Sequence, residues 1–89
     1  MANSTVQFDL TNPQHVAMRK LMANVYARYC EARSQGMPLM ALRYLGMAQG
    51  LEKVALYVLV DHTLHQLCFE LTCSLHAMNS IARAEEMAA

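Results

Sequence analysis

Tryptophan is absent from this 89-residue chain, and helix breakers are scarce: two prolines and three glycines in all. Few breakers leave few places to turn, which favours long helices over a fold of many short strands. Charge is also sparse. Seven basic and seven acidic residues make up 16% of the chain and cancel, so no net excess draws it toward nucleic acid or anionic lipid. Three cysteines, Cys30, Cys68 and Cys73, are an odd number at uneven spacing. That is poor material for a disulfide framework and suits a reducing cytoplasm. The opening residues MANSTVQFDLTNP have neither a positive segment nor a long apolar one, which predicts no secretory leader. The apolar stretch from Val54 to Val60 is bounded by Lys53 and Asp61, far short of the roughly 20 residues a membrane span needs. The expectation is a soluble, cytoplasmic protein.

What the chain does have is apolar side chains, at 55% of its residues, with eight methionines among them. A chain of this size buries only about 60–65% of its unfolded surface when it folds alone. The surplus predicts that a second copy, or another protein, covers part of the surface.

The chain reads as an N-terminal arm over residues 1–11 and one helical domain over 12–89. Asn12-Pro13 is a helix start, because Asn caps free amide groups and Pro is pre-shaped for the first helical position. Met18, Leu21, Met22, Val25, Tyr29 and Ala32 then recur at three- and four-residue spacing on one face. Gly36 and Pro38 mark the end, giving a helix from about Pro13 to Gln35. The short connection at Met37-Pro38 predicts an antiparallel hairpin. From Pro38 onward a single helix would be about 75 Å long, too long for a compact domain. A break is expected near Asp61-His62-Thr63, where Thr63 with Gln66 resembles a capping box; Gly46 to Gly50 is the other option. The fold expected is therefore all-α: a small bundle with helices near 13–35, 38–60 and 62–87, completed by homodimerisation. Val54–Val60 could alternatively be a buried strand, but it has no second strand to pair with.

The last helix carries the least usual residues. Projected at about 100° per residue, Leu64, Leu67, Leu71, Leu75 and Met78 form one stripe. His62, His65, Phe69, Cys73 and His76 lie roughly opposite, with Cys68 at the margin. A helix semi-apolar on two opposed faces suits the centre of a dimer, so those five residues form the expected seam. Ala41, Ala48 and Ala55 recur every seven residues, and the same register runs on through His62, Phe69 and His76, as in a tight helix crossing that widens. His65-x-x-Cys68 and Cys73-x-x-His76 each have one-turn ligand spacing suited to zinc. His65 and His76 are about 16 Å apart along one helix, however, so a metal site would need a second helix or subunit. The plainer reading is an interface seam, with no cofactor and no metal. Asp61 and His65 could pair at i, i+4 beside Cys68, but no thiolate-stabilising pocket is visible; an ordinary surface contact is the plainer reading, and no enzyme is expected.

The functional expectation is a small cytoplasmic protein–protein interaction module: a regulator, inhibitor or chaperone-like adaptor that sequesters another protein. Its partner surface is placed at Met18, Met22 and Tyr26 on the first helix and at Met40, Tyr44 and Met47 on the second, with Tyr44 as anchor. The competing reading makes these side chains the hairpin's own core. One alternative function is a DNA-binding regulator, resting on the basic first helix (Arg19, Lys20, Arg28 and Arg33) and the glycine turn at Gly46, although the basic residues spread around the helix and the segment lacks a polar groove-reading face. Another is a metal-responsive sensor using the His/Cys face.

Overall fold

A computed structural model describes residues 6–88, and within them the fold is all-α: three helices and no strand. Helix α1 spans Pro13–Ser34, α2 spans Pro38–Lys53 and α3 spans His62–Ala88, with a π-helical turn at Val54–Val58 between the last two. The opening residues 1–5 of the expected arm lie outside the described range. Residues 6–12 form an extended segment that turns into α1.

Both ends of α1 and the start of α3 have local causes. The Asn12 side chain accepts the Gln14 N–H at 2.9 Å, and Pro13 starts α1 with a φ already helical. At the other end Gly36 takes φ +68°, and the N–H groups of Gly36 and Met37 return to the carbonyls of Arg33 and Ala32. This is a Schellman termination, which a Cβ at position 36 would strain. Helix α2 continues through Gly46 and Gly50 without a break, so the glycine turn of the alternative DNA-binding reading is not formed.

The break falls at residues 59–61, but its chemistry differs from the Thr63–Gln66 capping box. Asp61 is the cap: its Oδ1 accepts the Leu64 N–H at 3.0 Å and its carbonyl accepts the His65 N–H at 2.9 Å. Immediately before it the N–H of Leu59 reaches back to Val54 and that of Asp61 to Ala55. To close this wide turn Val60 adopts φ +51°, a left-handed conformation that a β-branched side chain disfavours. The Val54–Val60 run is therefore no strand. Only Ala55 of it is buried, while Tyr57, Val58 and Val60 stand in solvent.

Three side-chain pairs fix how α1 lies against the segment that opens and forms α3: His15 with Asp61, Met22 with Cys68 and Arg33 with Asn79. Each is separated by 46 positions, so the two run in the same direction at constant register. The buried positions of α1 are His15, Met18, Met22, Val25, Tyr29 and Ala32, the alternating three- and four-residue steps of a heptad seam. Leu21, expected on that stripe, is instead exposed. Helix α2 supplies Ala41, Leu45 and Ala48 to the cluster holding Val25, Tyr29, Ala32 and Leu75. Ala55 joins the other cluster, with Met18, Met22, Leu64 and Cys68. The alanines at every seventh position are all fully buried; their small size lets the helices approach closely. The register does not continue through His62, Phe69 and His76, because the π turn and Val60 rephase the chain.

Candidate interaction surface

The core-facing side of α3 is rotated from the leucine stripe. Leu64, Cys68, Thr72, Leu75 and Asn79 are its buried residues, while Leu67, Leu71 and Met78 are only half-buried. Cys68 thus sits at the centre of the core rather than at a margin. Its thiol lies 3.6 Å from Met22 Sδ, and burial, aided by the Glu52 carboxylate, pushes its pKa up to about 11. It is held as a thiol, not as a nucleophile.

Two polar residues enter this core with their partners. Thr72 Oγ1 donates to the Cys68 carbonyl at 3.0 Å. Asn79 Oδ1 accepts from the Tyr29 hydroxyl at 3.2 Å and from the Arg33 guanidinium, whose Nε also donates to Tyr29 Oη. Arg33 reaches on to Glu86 at 3.1 Å. With these bonds made, burial of the polar groups carries little penalty.

At the opposite end His15 is 4% exposed. Its Nδ1 accepts the Asp9 N–H and its Nε2 faces Asp61 Oδ2, both at 2.9 Å. A backbone N–H can only donate, so Nδ1 is unprotonated and Nε2 carries the proton to the carboxylate. The Asp61 carboxyl is held below the usual carboxylate range by the Leu64 N–H and by His15. Asp61 therefore faces His15, not the His65 expected from i, i+4 spacing. Neither polar cluster was singled out in sequence. The signal was present for His15, which continues the Met18–Met22 face one turn earlier.

The five seam residues stand outside this core. His62, Phe69, Cys73 and His76 are exposed and His65 is half-buried. His65 and Phe69 stack with ring centroids 6.5 Å apart, and His76 Nε2 meets Gln49 Nε2 at 3.0 Å, which sets this stripe beside α2. The expected sandwiching of α3 is not achieved within one chain.

The six partner-surface residues divide. Met18 and Met22 are buried in the cluster around Cys68 and Leu64, because they occupy successive heptad positions of α1. Met40 and Tyr44 are half-buried against the other cluster. Only Tyr26 and Met47 are exposed. Met18 and Met22 thus pack against α3 and the turn residue Ala55, and Met40 and Tyr44 line the cluster that α2 shares with α1.

Further exposed apolar side chains lie elsewhere, on α2 and the turn beyond it. Leu39, Leu42, Met47, Val54, Tyr57, Val58 and Val60 are all exposed there, and the space above Gly46 and Gly50 is open. A shallow groove of about 250 Å³ between the arm and α1 is lined by Leu10, Val16, Arg19, Lys20 and Ala23. No group of three or more His, Cys, Asp or Glu side chains among the described residues is placed to hold a metal ion. Among those residues, too, no helix is long and apolar enough to cross a membrane.

Comparison with protein-family models, characterised proteins and solved structures gives no match.

Proposed function

We propose that the chain is a small cytoplasmic interaction module, a regulator, inhibitor or adaptor, that pairs with a second copy and presents further apolar surface to another protein. One observation carries this reading. Seven large apolar side chains are buried (Met18, Met22, Val25, Tyr29, Leu45, Leu64 and Leu75), while fourteen stand exposed among the described residues. Single exposed apolar residues are ordinary, but contiguous ones mark a surface meant to be covered. The α3 stripe and the adjoining outer side of α2 form the face assigned to the second copy. The antiparallel α1–α2 hairpin forms its backing, supported by Ala41 sharing a cluster with Ala32 and Ala55 one with Met18.

Phe69→Asp tests the assignment. Phe69 is 51% exposed in one chain, so the substitution should leave the monomer's melting temperature nearly unchanged. In an interface it would bury a carboxylate among His62, His65, Cys73 and His76, and a buried charge left unpaired at neutral pH costs several kcal/mol. Loss of self-association on size-exclusion chromatography is the expected result; unaltered association would show that the stripe faces solvent.

A further inference from the structure

The α3 stripe places metal-ligating side chains symmetrically about Phe69. His62 and His65 stand seven and four positions before it, and Cys73 and His76 stand four and seven positions after it. Along a helix this sets all four within about 40° of the Phe69 direction, at about 6 and 10 Å on either side. His62, Cys73 and His76 are exposed, His65 is half-buried, and Cys73 is a free thiol. Apolar contact between copies accounts for Phe69 but for none of the four residues around it. One chain cannot join the two halves, which lie on a single rigid helix, and no group of three such side chains forms among the described residues. A second copy can join them.

We propose that two copies pair with their α3 helices antiparallel about Phe69, and that zinc is bound by His62 and His65 of one chain with Cys73 and His76 of the other. The site rests on the self-pairing proposed above and deepens it. A two-fold axis at Phe69 sets Cys73 level with the partner's His65, and His76 level with the partner's His62. On one helix Cys73 leans about +40° from the contact line and His76 about −20°; on the other His65 leans about −40° and His62 about +20°. The two ligand pairs therefore cross, as opposite edges of a tetrahedron do. Three imidazoles and one thiolate in that geometry are a zinc donor set. Binding forms three Zn–N bonds and one Zn–S bond, and the Cys73 thiol proton goes to water. The His65 ring stacks on Phe69 with centroids 6.5 Å apart, which holds this ligand on the stripe. His76 Nε2 meets the Gln49 amide at 3.0 Å. Gln49 is exposed, so its amide can turn its oxygen to an Nε2–H and leave the Nδ1 lone pair for zinc.

Native mass spectrometry and sedimentation of the untagged full chain, in EDTA and then with zinc chloride, test this. In EDTA the chain should already be a dimer. With zinc it should carry one ion per chain, and its dissociation constant should fall at least about tenfold. The decisive arm mixes two variants, His62→Ala with His65→Ala and Cys73→Ser with His76→Ala. Each homodimer lacks half of both sites and should bind no zinc, whereas the mixed dimer keeps one complete site and should bind one ion. A dimer that takes up no zinc overturns the site and leaves the self-pairing standing. A dimer that forms only with zinc supports the site and overturns pairing by apolar contact alone. A monomer in both conditions overturns both. Zinc held by a monomer or by either variant alone, or a mixture that binds none, overturns the site. Should a variant fail to fold, wild-type stoichiometry decides: one ion per chain on the dimer supports the site, and any other ratio overturns it.

Discussion

At one end of the bundle Arg33 meets Asn79, and at the other His15 meets Asp61, each pair 46 positions apart. Both pairs bring a polar group of α1 into a largely apolar setting, yet they differ in what they can respond to. Arg33 keeps its charge at any pH a protein meets, and it is embedded in a network with Tyr29, Asn79 and Glu86. His15 has two partners, one of which depends on its being neutral. The first arrangement ties α1 to the body of α3; the second ties α1 to the start of α3 and also to the arm. The difference lies in the donor chemistry, since the helical register is the same at both ends.

The comparison can be broken most severely at Tyr29, which is fully buried and donates to Asn79. Tyr29→Ala should destabilise the chain by about 3–5 kcal/mol in denaturant unfolding, from the cavity and the orphaned polar neighbours. Next comes Asn79→Leu, which removes the acceptor shared by Tyr29 and Arg33. It should cost about 1–3 kcal/mol, with Glu86 still satisfying part of the guanidinium. At the other end Asp61→Ala removes a helix cap and should cost about 0.5–2 kcal/mol by the same measurement. Asp61→Asn sharpens this, because Asn caps nearly as well but carries no charge to pair with His15.

The smallest effect is the acid dependence of Asp61. Its folded pKa is lowered, so its contribution to stability is present above the unfolded value near 3.9 and is lost as pH falls through the folded value. The stability read from unfolding curves should therefore fall with acid below about pH 4 in the wild type, and less steeply in Asp61→Asn. A variant retaining the full wild-type slope would place the acid response in another carboxylate.

The start and end of α1 were legible in sequence because both rest on local chemistry, Asn12-Pro13 and Gly36-Pro38. The break before α3 was legible in place but not in cause. Asp61 and Thr63 both look like caps, and only the backbone path through Val60 decides between them. The face of α3 was misjudged for a related reason. Five apolar residues define a stripe at helical spacing, but the axis of burial followed Cys68, Thr72 and Asn79, two of them polar residues whose partners are 46 or 50 positions away or one turn back on the same helix. Long-range hydrogen bonding leaves no local periodicity, so Tyr29–Asn79–Arg33 and His15–Asp61 could not be paired from the sequence. Met18 and Met22 show the converse. Their spacing matched a core and a partner surface equally, and only the neighbouring helix told them apart.

Both ends of the bundle are closed by bonds within the chain, and the proposed function assigns the exposed apolar side chains of α2, the π turn and α3 to a second copy. Sedimentation velocity across the micromolar range tests that claim most directly. A 10.0 kDa chain whose α2–α3 face pairs with a second copy should sediment as a dimer of about twice that mass. A single 10.0 kDa species at every concentration would contradict the account.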